Sequence, residues 1–231
     1  MLIHLTRLIN DLAGLIYPAK CLICDGCEAS SRTQLLCENC LEEISSLPLP
    51  EAIGGQHRAA NNGGLDSAFA GWHYDAAMQH VIHATKYRHR PSLGETLGDL
   101  LAQRLSAPLR EERAQAVVVP VPLHRRREMK RGFNQSLVLA RALAKAWHLE
   151  VTPRALRRTR FTQSQAKLRA AERWQNVEGA FAPARDLHLE TPTVFLVDDV
   201  LTTGATMNAC AAVLKSAGAS KVIGIALAKA G

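Results

Sequence analysis

The chain has 231 residues, of which 47% are hydrophobic and 5% aromatic, enough for one well-packed domain with a small appendage. No apolar run reaches the length of a membrane span, so no transmembrane helix is predicted. The net charge of +7 is uneven: residues 1–66 hold 4 basic and 8 acidic side chains, residues 67–185 hold 21 and 9, and residues 186–231 hold 3 and 4. The basic middle favours an anionic ligand such as a pyrophosphate, a polyanion such as DNA, or both.

The first 20 residues are rich in Leu and Ile but are interrupted by Arg7, Asn10 and Asp11. They lack a basic n-region and a cleavage site, so a secretory signal is not predicted. We expect an amphipathic helix that packs on the body of the protein, in preference to a membrane anchor, and a cytoplasmic location.

Two CxxC pairs follow in residues 21–47, separated by twelve residues. Each pair predicts a tight turn with two thiolates facing one metal, and together they predict a structural Cys₄ zinc site. The predicted ligands are Cys21, Cys24, Cys37 and Cys40. Cys27 extends the first pair to a C-x₂-C-x₂-C run, which leaves an iron–sulfur cluster open as an alternative. Disulfides are disfavoured because no export signal is predicted.

Residues 48–66 have the Pro, Gly and Asn content of a linker, so the main domain is predicted over residues 67–231. In chain order, the patterns there predict a strand at 68–74, a helix ending near Lys86, a second helix through 93–105, a strand at 117–119, a helix to about Trp147 and a short strand at 149–152. Asn134 or Ser136 is expected to cap the third of these helices.

Residues 154–173 are strongly basic and poor in apolar side chains, which predicts a mobile, partly helical excursion. A buried strand at 194–197, a helix ending before Gly218 and a last strand at 222–227 complete the chain. Strands that alternate with helices predict an α/β fold: a parallel sheet with right-handed crossovers and flanking helices, preceded by the small cysteine segment.

The most informative stretch is residues 194–206, which read VFLVDDVLTTGAT. Two acids, Asp198 and Asp199, end a buried strand, and a loop of small residues then opens a helix. Such a loop offers backbone N–H groups and the positive end of the helix dipole to a phosphate. The acid pair suits ribose hydroxyls or a nearby Mg²⁺ ion.

This stretch resembles the 5-phosphoribosyl-1-pyrophosphate (PRPP) signature of the type I phosphoribosyltransferases. Together with VPVPLH at 119–124, RGFNQS at 131–136 and the preceding cysteine pairs, it makes the chain resemble the ComF family of bacterial competence proteins. The family implies a role in natural transformation, where single-stranded DNA enters the cytoplasm, with a helicase as a partner.

The resemblance also implies site residues. Asp198 and Asp199 match the acids that bind the ribose, and Mg²⁺ accompanies PRPP. The 5-phosphate loop and its lead-in correspond to Val200, Leu201, Thr202, Thr203, Gly204, Ala205 and Thr206, and the pyrophosphate-contacting loop to Pro122, Leu123 and His124. The flexible loop that closes over PRPP falls at residues 157–173, where Arg160 and Lys167 are the predicted catalytic cations.

Two functions stay open at this point. The chain either binds PRPP while acting in DNA uptake, or it is an active phosphoribosyltransferase (pentosyl transfer) in nucleotide or small-molecule metabolism with no DNA role. Phe133 and Phe161 lie inside basic stretches and are the candidates for stacking on DNA bases.

Overall fold

The computed structural model of the chain describes residues 20–30, 36–54, 64–87, 91–162, 169–185, 187, 189 and 193–230. The predicted helix over residues 1–20 lies outside these ranges except for Lys20. The chain divides into two compact units, Met1–Leu47 and Pro48–Gly231. None of the described helices combines the length and the apolar character needed to cross a bilayer.

The first unit is built around its cysteines. A single antiparallel bridge joins Lys20 to Glu28, and the turn between them is closed by a 2.9 Å hydrogen bond from the Cys21 N–H to the Cys27 carbonyl. Helix α1 (Glu38–Ser46) begins directly after Cys37. Its buried side chains are Cys40 and Ile44, so few apolar groups are available here to stabilise a fold.

The second unit is a layered α/β domain. Among the described residues its strands are β1 (Ile53–Gly54), β2 (Ser67–His73), β3 (Ala116–Pro120), β4 (Glu150–Val151), β5 (Leu156–Arg158), β6 (Phe181–Pro183), β7 (Thr193–Leu201) and β8 (Lys221–Lys229). Its helices are α2 (Ala76–Tyr87), α3 (Pro91–Arg104), α4 (Arg125–Arg131), α5 (Gln135–Trp147), α6 (Ala170–Val177) and α7 (Ala205–Ser216), with a 3₁₀ turn at Glu112–Gln115.

Six strands form one sheet in the order β1-β2-β8-β7-β3-β4. All neighbours are parallel except β1, which runs antiparallel to β2. The predicted α/β fold with a parallel sheet is therefore confirmed. Because the strands are parallel, the carboxyl ends of β2, β8, β7 and β3 meet at one edge, where α/β proteins place their ligands.

The centre of the sheet is apolar on both faces. Residues 194–197 of β7 and 222–228 of β8 are buried almost completely, as expected for strands covered by helices on both sides. Helix α5 packs closely on α3, because a Cβ at Gly98 would lie 2.5 Å from the Cβ of Ala142. The side chain of Trp147 meets Phe195 edge to face, with ring centroids 5.5 Å apart.

Helix α7 ends as the sequence predicts. Gly218 has a φ of +104°, and the N–H groups of Gly218 and Ala219 donate to the carbonyls of Lys215 and Leu214. This is the pattern of a Schellman cap, whose left-handed position favours glycine.

Several elements differ from the sequence predictions. The basic block at 125–131 is a short helix, α4, and the excursion predicted at 154–173 begins with strand β5, which pairs with β6 to make a separate two-stranded sheet. The predicted linker contributes strand β1 at its start and Leu65, which packs against the core. These are short elements whose pairing partners lie far along the chain, so local periodicity does not reveal them.

Candidate functional site

The acid pair lies near the carboxyl end of β7, where this strand has passed the end of β3 and still pairs with β8. Asp198 and Asp199 are half-buried, and β7 continues through them to Leu201. Residues 202–204 then turn the chain into α7. Gly204 has a φ of +75° and occupies the N-cap position of that helix, so the N-cap residue has no side chain to cap the backbone, although the Thr203 hydroxyl accepts from the Ala205 N–H at 3.5 Å. The first turn of α7 therefore follows a loop of small residues, the arrangement that suits a phosphate.

Asp198 is held from beneath by helix α5. One of its carboxylate oxygens, Oδ1, accepts a 2.9 Å hydrogen bond from the hydroxyl of Ser136 and another of 2.9 Å from the Asp199 N–H. Ser136 is 4% exposed, so this support lies in the protein interior. An inward-facing oxygen with two donors fixes the orientation of the carboxylate before any ligand arrives.

Asn134 fixes the position of Ser136 beside Asp198. Its side-chain oxygen accepts a 3.1 Å hydrogen bond from the Ser136 N–H and caps α5, as expected from the sequence. Its amide nitrogen donates to the carbonyl of Val121 at 3.0 Å. The same side chain thus starts the helix and ties it to the segment that follows β3.

A cavity of about 500 Å³ opens over the acid pair at the carboxyl edge of the sheet. Its volume falls within the range of small-molecule sites. Asp198, Asp199, Thr202 and Thr206 are among the residues that line this cavity. Four arginines line the same cavity: Arg127, Arg131, Arg158 and Arg173.

Arg158 is the most enclosed of these arginines. Its guanidinium lies 5.1 Å from the centre of the Phe181 ring and donates through Nη2 to the hydroxyl of Thr162. Burial lowers the pKa of Arg158, the charge of Arg127 lowers it further, and Asp198 acts in the opposite direction. Arginine stays protonated despite such shifts, so a positive charge faces the cavity close to Asp198.

Phe161 and Thr162, which follow β5, contact side chains of the cavity and of the outer surface. Arg127 donates to the Thr162 carbonyl at 2.7 Å, and burial followed by the charge of Arg131 lowers its pKa. The neighbouring Phe161 ring is 56% exposed, with the guanidiniums of Arg126 and Arg127 at 5.7 and 5.5 Å from its centre. His124 meets the same ring edge to face.

In the first unit, one sulfur from each of Cys21, Cys24, Cys37 and Cys40 lies within 4.8 Å of the other three. The Cys24 and Cys37 sulfurs are 3.9 Å apart. Zn–S bonds of about 2.3 Å in a tetrahedron imply a spacing of about 3.8 Å, so the four thiols fit a Cys₄ metal site. Cys27 is exposed and outside this group of four.

The backbone around the first pair favours a thiolate. N–H groups of Gly26 and then Cys27 lower the pKa of the Cys24 thiol to about 6. Burial raises the pKa of Cys40, which leaves that thiol protonated in the absence of a metal and makes metal binding coincide with proton release.

Known proteins match nearly the whole chain, and a family model matches part of the second unit. The model of the phosphoribosyl transferase domain matches residues 134–231. The chain is 28% identical over 228 residues to Competence protein F of Haemophilus influenzae, covering 94% of each protein. It is 34% identical over 151 residues to the DNA utilization protein YhgH of Escherichia coli K12, covering 64% of this chain and 66% of that protein. A 102-residue match to Competence protein ComFC of Bacillus subtilis has 33% identity and covers 44% and 39%.

The chain is a homologue of Competence protein F, YhgH and ComFC and carries a phosphoribosyl transferase domain. The end-to-end match to Competence protein F, the phosphoribosyl transferase domain and the four-cysteine cluster together confirm the resemblance drawn from the sequence motifs.

The residues predicted from the ComF resemblance fall into three groups. Pro122, Leu123, Val200, Thr202 and Thr206 line the large cavity together with the acid pair. Leu201 and Gly204 line a separate small pocket, Thr203 accepts a 3.5 Å hydrogen bond from the Ala205 N–H, and Ala205 is buried in the core. His124 caps α4 through Nδ1. The assignment of these residues to a ligand stays a prediction.

The two predicted catalytic cations are placed differently. Arg160 is exposed, donates to the Asn176 carbonyl at 3.2 Å and is not among the residues that line the cavity. Lys167 lies outside the described residues. Their catalytic role stays a prediction.

Sequence reasoning named neither the cavity arginines nor the supporting side chains. Arg158 was one of seven basic residues in its segment, and only the pairing of β5 with β6, which brings Phe181 beneath it, singles it out. In the RGFNQS motif, the sequence predicts only a capping role for Ser136 and no role for Gln135. The capping residue Asn134 was the available signal, since it fixes which side chains occupy the first turn of α5.

Proposed function

We propose that the cavity over Asp198 and Asp199 binds PRPP together with Mg²⁺. The observation that supports this most is the mixed charge of the lining: two carboxylates, a helix-opening loop and four arginines line one cavity of about 500 Å³. A molecule with a sugar between a phosphate and a pyrophosphate matches that combination of charges. The 5-phosphate belongs at residues 202–206, where α7 begins.

The acid pair fits the ribose and the metal. Carboxylate oxygens are preferred ligands of Mg²⁺, which usually completes its shell with water and phosphate oxygens. Asp198 has one oxygen fixed by Ser136, so its other oxygen and the Asp199 carboxylate are the groups that would hold the ribose hydroxyls and the ion. When bound, Mg²⁺ supplies positive charge against the pyrophosphate.

If the protein transfers the ribosyl group, the bond from C1 to the pyrophosphate oxygen breaks and a bond from C1 to an acceptor forms. This chemistry needs positioning, exclusion of water and neutralisation of the departing anion, and it needs no side-chain nucleophile. Arg127 and Arg158 line the cavity and are the residues we propose for that neutralisation.

Calorimetry with Mg²⁺ and PRPP tests the proposal. We expect the wild type to bind and an Asp198→Asn/Asp199→Asn variant to lose affinity by at least about 100-fold, because two charge-assisted contacts are removed. The matched control is Glu95→Gln/Asp99→Asn, which makes the same charge change on exposed positions of α3. Absence of binding by the folded wild type contradicts the proposal.

We further propose that the protein acts in the uptake of single-stranded DNA during natural transformation. Its relatives are named Competence protein F and DNA utilization protein, and its basic excess includes the exposed side chains of α4. A helicase partner stays a prediction from the family resemblance.

Fluorescence anisotropy with a labelled single-stranded oligothymidine and a labelled duplex tests this role. We expect binding that weakens steeply with salt, because phosphate contacts release counterions, and that falls in Arg125→Gln/Lys130→Gln, which changes two exposed α4 residues outside the cavity. Binding of PRPP with no DNA binding at low salt would favour the metabolic phosphoribosyltransferase instead.

We also propose that the cysteine cluster holds one structural Zn²⁺. Metal analysis of the purified chain is expected to find about one zinc per molecule, which Cys24→Ser loses and Cys27→Ser keeps. Visible absorption and iron in place of zinc, dependent on Cys27, would instead establish the iron–sulfur alternative.

A further inference from the structure

A second, much smaller cavity lies behind the acid pair. It measures about 10 Å³, and its apolar lining includes Phe133, Val138 and Leu227. Three polar residues also line it: Thr85, Gln135 and Asp199. A volume of this size holds one water molecule, provided that the water finds two to four polar partners.

Gln135 lines this cavity as well as the large one, and its side chain carries an unpaired donor. Its side chain is 5% exposed, and its Oε1 accepts a 3.1 Å hydrogen bond from Nη1 of Arg131. Its Nε2 is buried and has no hydrogen-bond partner among the residues that the structure describes. A buried amide donor without a partner destabilises the folded state, so native proteins satisfy nearly all such groups, with ordered water where no side chain reaches.

Thr85 brings an acceptor. Its hydroxyl donates to the Ile82 carbonyl at 2.6 Å, which commits its proton and leaves its lone pairs for an incoming donor. Thr85 is 6% exposed and does not line the large cavity. Asp199 lines both cavities, and its carboxylate accepts hydrogen bonds.

We infer that one buried water occupies the small cavity and makes Gln135 a positioning residue for Asp199. The water accepts a hydrogen bond from Gln135 Nε2 and donates to the Asp199 carboxylate and to Thr85 Oγ1. Every polar group in the cavity is then satisfied, and the water has three partners.

Two neighbouring residues in the first turn of α5 then hold the two acids, a role that rests on the proposed PRPP site. Ser136 holds Asp198 directly, whereas Gln135 holds Asp199 through the water. Through its Oε1, Gln135 also orients Arg131, which lines the large cavity. One side chain therefore couples an acid to a cation of the same site.

A high-resolution crystal structure of the wild type without ligand gives the first test. We expect one ordered water within hydrogen-bond distance of Gln135 Nε2, Thr85 Oγ1 and Asp199. A dry cavity, or a water bonded to neither Gln135 nor Asp199, overturns the inference whether or not the protein binds PRPP.

A double-mutant cycle gives the second test. Gln135→Met removes the donor and Thr85→Val one acceptor, and we expect Mg²⁺-PRPP affinity to fall about 10-fold and about 5-fold. Because both changes act through one water, the double variant should lose about 10-fold, well short of the product of the two. Thr85→Ser should bind like the wild type, as should Thr96→Val, which removes a comparable hydroxyl on α3.

The Thr85 variants separate positioning from direct contact, since Thr85 does not line the large cavity. Unchanged affinity in Thr85→Val, or fully additive losses, overturns the inference while the PRPP site stands. If the wild type binds no PRPP, the proposed function fails, and the same cycle is measured on the free energy of unfolding. Non-additivity there supports the water link, and additivity overturns it.

Discussion

The two walls of the large cavity are built in different ways. The acid wall, Asp198 and Asp199 with the loop to α7, continues a central strand whose preceding four residues are buried completely. The arginine wall, Arg127, Arg131, Arg158 and Arg173, comes from α4, the small β5-β6 sheet and α6. The acid wall is therefore an extension of the core, whereas the arginine wall is attached to the core through side-chain contacts.

Two members of the arginine wall, Arg127 and Arg158, are attached through cation–aromatic contacts and hydrogen bonds to one short segment. Thr162 accepts from both Arg127 and Arg158, and Phe161 and Phe181 lie against guanidiniums. The acid wall instead has a buried hydroxyl and a backbone N–H on one carboxylate oxygen. We therefore expect the carboxylates of the acid wall to hold their binding orientation before the ligand arrives. The arginine wall is expected to supply charge with less precise geometry.

Loss of charge from the arginine wall should have the largest effect among single changes. Arg158→Gln removes the most enclosed guanidinium and should weaken Mg²⁺-PRPP binding about 30-fold, as expected for a charge-assisted hydrogen bond. Calorimetry at fixed ionic strength measures the change.

Arg160→Gln is the matched control for that variant. Arg160 is exposed and bonded to a carbonyl outside the cavity, so its loss should change affinity by no more than about twofold. An equal loss in both variants would mean that the charge of the whole segment matters and that the distinction between Arg158 and Arg160 is wrong.

Removal of a support from the acid wall should have an intermediate effect. Ser136→Ala deletes one donor to Asp198 and should weaken binding about fivefold, the value of a typical hydrogen bond. Ser216→Ala deletes a hydroxyl that donates to a helix carbonyl at the far end of α7 and serves as the control. Calorimetry measures PRPP affinity for both variants, and thermal unfolding shows whether either variant has lost stability. Equal affinities of Ser136→Ala and the wild type would show that Asp198 needs no preset orientation.

Loosening the arginine wall at its outer surface should have the smallest effect. Phe161→Leu removes the ring against Arg126, Arg127 and His124 and should weaken PRPP binding about two- to threefold, because exposed cation–aromatic contacts contribute about 0.5–1 kcal/mol. Calorimetry measures this change, and anisotropy with single-stranded DNA on the same variant tests base stacking. A loss as large as that of Arg158→Gln would place Phe161 in the ligand site itself.

The same contrast explains what the sequence predicts. The acid wall follows from local pattern: an apolar strand, two acids, small residues and a helix lie within thirteen consecutive positions and appear in that order in the fold. The parallel sheet and the four-cysteine cluster were likewise predictable, because strand–helix alternation and CxxC spacing are local signals.

The arginine wall does not follow from local pattern. Arg158 acquires its position from pairing with residues 181–183, and the orientation of Arg131 depends on Gln135 in the next helix. A basic segment with seven candidate cations gives no local reason to prefer one of them. The sequence therefore does not distinguish Arg160 from Arg158, although of these two only Arg158 lines the cavity.

A crystal structure of the wild type with Mg²⁺ and PRPP tests the central claim most directly. The account predicts the 5-phosphate against the N–H groups of residues 204–206, the ribose on Asp198 and Asp199, and the pyrophosphate facing Arg127 and Arg158. Ligand density outside this cavity, or a reversed ligand with its pyrophosphate in the loop before α7, would contradict it.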